Sequence, residues 1–238
     1  MVGDFVEADG EAVTRVLPRI NSLARPAVAN IGQAVIVVAS EPEPDFYLVD
    51  KMLINCRGMD IDAVLCLNKI DLRPKKLYNT LVEQFGRDAE IIKASAERGD
   101  TGALNEVLRG KLSALCGQSA VGKSSLINVL APNADRRVGE LSGNKRGRNT
   151  TTGSGLIDLG AGTYVIDTPG FGSLDIFGVD YRELDGYYAD YIELAARCRF
   201  AGCSHITEPD CAVKDAVEAG KLDKDRYRRY MELRTMLK

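Results

Sequence analysis

The chain has 238 residues, 45% of them hydrophobic and 27% charged, enough to bury one large core with a smaller one beside it. A formal net charge of −3 excludes a uniformly basic nucleic-acid binder but leaves room for a local basic patch. The longest purely apolar run, Ala34–Ala39, is far too short for a membrane span, and the polar, acidic start suits no signal peptide, so a soluble cytoplasmic protein with no membrane partner is expected.

In chain order, Asp9-Gly10 lies between two stretches of alternating polarity and predicts a β-hairpin. From residue 26 onward, short continuous apolar runs at 34–39, 63–67, 90–95, 111–116 and 163–167 suit strands buried on both faces of a parallel sheet. Between them lie residues at helical spacing: Phe46, Val49, Leu53 and Cys56; Leu77, Leu81 and Phe85; Leu104 and Leu108; Leu126, Val129 and Leu130. Strand alternating with helix predicts an α/β doubly wound domain over 26–180. Beyond it the strands stop. Asp190–Cys198 and Asp225–Lys238 read as helices around a cysteine cluster, so 181–238 is expected to be a small helical domain and 1–25 a separate hairpin segment.

Gly117–Ser124, GQSAVGKS, fits G-x-x-x-x-G-K-[ST] between a predicted strand and a predicted helix, the context a phosphate-binding loop needs. Gly117, Gln118, Ser119, Ala120, Val121, Gly122, Lys123, Ser124 and Ser125 would surround the phosphates, mostly through backbone N–H groups at a helix N-terminus. Lys123 would contact the β- and γ-oxygens, the Ser124 hydroxyl would bind Mg²⁺, Asp167 of the DTPG segment would hold the ion through water, and the Gly170 N–H would sense the γ-phosphate. Guanine offers two adjacent donors that one carboxylate accepts together, so Asp71 of Asn68-Lys69-Ile70-Asp71 would select GTP over ATP. Lys69 would cover the base, Asn68 would tie the loop, and Ser95-Ala96 would offer an N–H to guanine O6. The guanine segment precedes the phosphate loop, the order of a circularly permuted GTPase; strand ends that meet in space keep the pocket intact.

The sole histidine, His205, lies with Cys198, Cys203 and Cys211 in C-x4-C-x-H-x5-C. Three thiolates and one imidazole are the donor set of a closed structural zinc site. Cys56, Cys66 and Cys116 lack such grouping and read as small buried hydrophobes.

Together LNKIDL, GQSAVGKSSLIN, GRNTTT, DTPGFGSLDI and CRFAGCSHITEPDC resemble the RsgA (YjeQ) family of circularly permuted GTPases, from about Val2 to the C-terminus. The resemblance implies a ribosome-stimulated hydrolysis of GTP to GDP, late in maturation of the small (30S) ribosomal subunit, with that subunit and its rRNA as partners. It also implies one zinc in the C-terminal domain, Mg²⁺ with GTP or GDP, an N-terminal OB-fold, and Thr151 as a Mg²⁺ ligand beside Ser124 and Asp167. A monomer is expected. The chain departs from the family in three places. Its first residues supply only a remnant hairpin of the OB-fold, Ala120 stands where glycine is usual, and Asn149 stands where the family places a histidine. Phe171 follows DTPG, so the water-positioning glutamine of Ras-like enzymes is missing. Catalysis would rest on Lys123 and Thr151, with Asn149 a weak third candidate, and slow intrinsic hydrolysis is expected. The alternatives are a GTP/GDP-dependent RNA- or ribosome-binding switch with negligible turnover and, against the intact nucleotide motifs, a zinc module that only docks on RNA. Arg136, Arg137, Lys145, Arg146 and Arg148 read as an rRNA contact or a solvated loop, and the 28 residues from Gly170 to Cys198 as a lever onto the zinc domain.

Overall fold

The computed structural model describes residues 1–10, 12–132, 155–170 and 174–238. Strands β1 (Val6–Asp9) and β2 (Ala12–Val16) form the hairpin expected around Asp9-Gly10, with Val6 opposite Val16 and Ala8 opposite Val13. Every described residue of both strands is exposed. A second small ladder, β3 (Ser22–Leu23) with β4 (Val28–Ala29), buries Leu23 and Val28 in the main core. Five strands are needed for an OB-fold; among the described residues before β5 there are only these two pairs.

The main sheet contains β5 (Gln33–Val38), β6 (Asp62–Leu67), β7 (Glu90–Lys93), β8 (Leu112–Cys116), β9 (Gly155–Gly160) and β10 (Thr163–Asp167). Their order is β7-β6-β5-β8-β10-β9, parallel throughout except for β9, which runs antiparallel on the edge. Each apolar run does contribute to both faces. Ile36, Val38, Leu65 and Leu67 pack against α1 (Phe46–Gly58) and α2 (Lys75–Phe85), while Val35, Val37, Val64 and Cys66 pack against α3 (Gly102–Leu108) and α4 (Lys123–Leu130). This is the doubly wound arrangement that continuous apolar strands demand. Cys56, Cys66 and Cys116 are buried hydrophobes in these layers, and burial pushes the Cys66 and Cys116 thiols up to about 12.

Helix α1 begins at Asp45, whose carboxylate accepts from the Leu48 N–H at 3.0 Å. Its residues 48–56 are all buried, including Asp50, Lys51 and Asn55. An amphipathic surface helix would expose one side; α1 has the sheet on one face and the C-terminal region on the other. That region is a 3₁₀ turn (Tyr181–Tyr187), α5 (Ala189–Ala195), α6 (Ala212–Glu218) and α7 (Lys224–Leu237). Its core stacks Tyr188, Tyr191 and Tyr230 with Val213 and Leu233 against Ile54 of α1.

Two buried arginines join α7 to the main domain. Arg226 meets Asp50 at 3.2 Å and Asp88 at 2.7 Å, and donates to the Gln84 carbonyl. Arg229 meets Asp50 at 2.5 Å and Gln84 Oε1 at 2.8 Å. Both guanidiniums also lie over the Phe85 ring, at 4.8 and 5.8 Å. No helix among the described residues is long and apolar enough to cross a membrane.

Candidate functional site

Because β5 to β8 and β10 run parallel, the segments after β6, β7, β8 and β10 leave at one edge of the sheet, where doubly wound folds bind ligands. Those four segments are Asn68–Asp71, Ser95-Ala96, the Gly117–Ser124 loop and Asp167–Gly170. Asn68 is wholly buried between three of them. Its Nδ2 donates to the Val121 carbonyl at 2.9 Å, and its Oδ1 accepts from the Ala96 N–H at 3.3 Å. Gly122 has φ 96°, and a Cβ there would collide with Asn68 Nδ2, so glycine is required on both counts. Lys69 Nζ donates to the Glu41 carbonyl at 2.6 Å and the Ala120 carbonyl at 3.1 Å.

Where the Asn68–Asp71 and Ser95-Ala96 segments meet, the Ser95 hydroxyl donates to Asp71 Oδ1 at 2.5 Å. That bond holds the Asp71 carboxyl below the usual range, aided by Arg98 and Lys69 against desolvation. Asp71 is therefore an ionised acceptor at neutral pH. In the Gly117–Ser124 loop, Lys123 is 6% exposed and donates to the Gly117 carbonyl at 2.9 Å and the Gln118 carbonyl at 3.1 Å. Burial lowers its pKa, so an anion there would be welcome. Ser124 Oγ donates to Asp167 Oδ2 at 3.3 Å, which puts two oxygen donors where a divalent cation could sit. Gly170 lies against the phosphate loop: a Cβ on it would stand 2.6 Å from Ser119 Cα and 3.1 Å from Lys123 Nζ. Ala120 has φ 64°, the left-handed conformation that favours glycine.

Sequence reasoning missed Thr168, whose hydroxyl donates to the Leu115 carbonyl at 2.6 Å and ties the DTPG segment to β8. It also missed the Gln118 side chain, which accepts from the Asp45 N–H at 3.3 Å and links the phosphate loop to the start of α1. Gln118 is a motif position read without a role for its side chain, and Thr168 lies inside the DTPG motif but was given no role. Thr151, Asn149 and Phe171 lie outside the described residues, as do Arg136, Arg137, Lys145, Arg146 and Arg148.

At the other end, the ligand atoms of Cys198, Cys203, His205 and Cys211 all lie within 4.8 Å of one another. His205 Nδ1 stands 3.6 Å from Cys198 Sγ and 3.3 Å from Cys211 Sγ, and the two sulfurs are 3.9 Å apart. A tetrahedral zinc with ordinary Zn–S and Zn–N lengths has edges of about 3.5–3.8 Å, so the donors fit. His205 Nε2 is buried, makes no hydrogen bond among the described residues, and stands 3.7 Å from Asp185 Oδ2. That is the placement of an outer carboxylate that orients a metal-ligating imidazole.

The family model of the RsgA GTPase matches residues 16–177. The chain belongs to the RsgA GTPase family. A small ribosomal subunit biogenesis GTPase RsgA from Ruminiclostridium cellulolyticum is 40% identical over 95% of this chain and 75% of its own length. The RsgA of Caldanaerobacter subterraneus is 40% identical over 98% of this chain and 82% of its own. Among solved structures, YjeQ from Thermotoga maritima superposes with a TM-score of 0.81 at 34% identity, covering 99% of this chain and 84% of that one. YloQ, a circularly permuted GTPase, gives 0.75 at 31%, covering 99% and 80%. The sheet order explains how an RsgA chain tolerates permutation. The chain enters at the central strand β5, and the phosphate loop still follows a strand flanked by β5 and β10.

Proposed function

We propose that the chain binds GTP, hydrolyses it to GDP, and acts in late maturation of the small ribosomal subunit, with the ribosome stimulating turnover. The observation that carries this reading is Asn68, whose two hydrogen bonds lock the guanine segment, the Ser95-Ala96 turn and the phosphate loop into one pocket. Asp71 accepts both guanine donors, oriented by Ser95. Lys123 leaves the Gly117 and Gln118 carbonyls for the β- and γ-oxygens. Ser124, Asp167 and Thr151 are assigned to Mg²⁺, which when bound spreads positive charge over those oxygens, and the Gly170 N–H to the γ-phosphate. Residues 26–180 form the GTPase domain, 1–25 a remnant of an OB-fold, and 181–238 a domain closed by one structural zinc on Cys198, Cys203, His205 and Cys211.

Asn149 cannot act as a general base, and Phe171 cannot position water. These two residues favour a second reading, a nucleotide-dependent ribosome-binding switch with negligible turnover. Single-turnover GTP hydrolysis with and without small subunits separates the two. Stimulation by subunits supports the enzyme, and equal, negligible rates leave the switch. Asp71→Asn should lower GDP affinity by about 1–3 kcal/mol, the cost of leaving guanine donors unpaired, and improve xanthine nucleotide binding. Unchanged GDP binding in calorimetry would remove Asp71 from the base site.

A further inference from the structure

Ser119 has the one polar side chain between Gly117 and Gly122 that the fold does not engage. Ala120 and Val121 are apolar, and the Gln118 side-chain oxygen is drawn to the Asp45 N–H at the start of α1, 3.3 Å away. Three other hydroxyls at this edge of the sheet already donate inside the protein: Ser95 to Asp71, Ser124 to Asp167, and Thr168 to the Leu115 carbonyl. Ser119 is exposed, and among the described residues its hydroxyl makes no hydrogen bond. Folding therefore has no use for it.

The position of Ser119 decides what the hydroxyl can meet. A Cβ built on Gly170 would stand 2.6 Å from Ser119 Cα, 3.0 Å from Ser119 N and 3.1 Å from Lys123 Nζ. Ser119, Lys123 and the DTPG glycine thus converge on one point, and the last two carry the γ-phosphate assignments given above. Ser40 and Ser125 also have free hydroxyls, but neither is among the atoms nearest to Gly170.

Hydrolysis of GTP joins a water oxygen to the γ-phosphorus and breaks the bond to the β–γ bridging oxygen, which leaves on GDP, while the water's proton ends on the released phosphate. That water has to be held in line with the breaking bond. Asn149 cannot take its proton, and Phe171 cannot orient it. A hydroxyl both accepts and donates. It can accept one hydrogen of the water and give its own to a γ-phosphoryl oxygen, which fixes the direction of attack without removing a proton.

We propose that the Ser119 hydroxyl is a further catalytic group, which orients the attacking water against the γ-phosphate. The inference rests on the GTPase reading above and adds to it the side chain that holds the water.

The test uses Ser119→Ala and Ser119→Gly in the full chain, with single-turnover hydrolysis of saturating GTP measured in the presence of small subunits. Both variants should slow the step by roughly tenfold or more, the scale of losing one positioned hydrogen-bonding group in a transition state. GDP affinity should be unchanged, because GDP has no γ-phosphate, and the melting midpoint should hold, because the hydroxyl bonds nothing in the folded chain. A second arm needs no turnover: binding of GDP with Mg²⁺ and aluminium fluoride, which imitates the phosphoryl group in flight together with its water, should weaken by a similar factor in Ser119→Ala. Wild-type rates in both variants, or a GDP affinity that falls as far as the rate, would overturn the proposal. So would equal aluminium fluoride binding in variant and wild type, or none in the wild type. If the wild type forms that complex yet hydrolyses no GTP even with subunits, the enzyme reading falls, and the aluminium fluoride arm alone decides Ser119.

Discussion

Ala120 shows what one backbone angle demands. At φ 64° a Cβ crowds its own carbonyl, at a cost of about 1–2 kcal/mol, and the loop holds the conformation because Lys69 bonds the Ala120 carbonyl and Asn68 the neighbouring Val121 carbonyl. Glycine removes that strain but adds freedom to the unfolded chain. The relief is the larger of the two, so Ala120→Gly should raise the melting midpoint of the nucleotide-free protein by about 2 °C. A lower midpoint would mean that the alanine is not strained. This position was legible beforehand, since a phosphate loop needs glycine where its backbone turns left-handed. The roles of Thr168 and the Gln118 side chain were not, because each bonds a carbonyl or N–H that only the folded chain brings near.

Helix α1 is the element whose sequence says least about its importance. Spacing of Phe46, Val49, Leu53 and Cys56 marks a helix with one apolar face, and that face does lie on the sheet. The opposite face carries Asp50 and Asn55, whose partners Arg226 and Asp175 are 176 and 120 residues away, so no local pattern could reveal it. Strand β9 was missed for a related reason: as a half-exposed edge strand bounded by glycines it lacks the continuous apolar run of its neighbours. Asp50→Ala would leave two buried guanidiniums short of their shared carboxylate. Arg226 keeps Asp88 and Arg229 keeps Gln84, so the cost should be about 3 kcal/mol, at the low end for breaking a buried pair. Urea unfolding reads it directly; a loss below about 1 kcal/mol would show that Asp50 contributes little beyond what Asp88 and Gln84 supply.

At the scale of the molecule, the C-terminal region has a small core and two further supports, the Cys198–Cys203–His205–Cys211 cluster and the α1 clamp. Chains of this size rarely hold together on apolar burial alone. Metal analysis should find one zinc per folded chain, and Cys211→Ser should lose it and loosen 198–218, while α7 stays pinned by Arg226 and Arg229. A stoichiometric, chelator-resistant zinc in that variant would remove Cys211 from the ligand set. The same clamp bears on how a γ-phosphate signal could travel. After Gly170 the chain is gripped almost at once: Leu174 is buried in the main core, and Asn55 donates to the Asp175 carbonyl at 2.9 Å and accepts from the Phe177 N–H at 3.0 Å. Burying a leucine is worth about 1.5–3 kcal/mol and two hydrogen bonds about 1 kcal/mol each. Allosteric couplings are typically 1–3 kcal/mol, so a pull on Gly170 would stall at Asn55 and pass into α1 rather than run along the linker to Cys198. Hydrogen exchange comparing GDP with a non-hydrolysable GTP analogue should therefore change protection in 46–58 and 174–177 and leave 181–197 alone. Asn55→Ala should let the change spread into 181–197. Equal spread in wild type would make the linker itself the lever, and no spread in the variant would leave Asn55 a structural pin only.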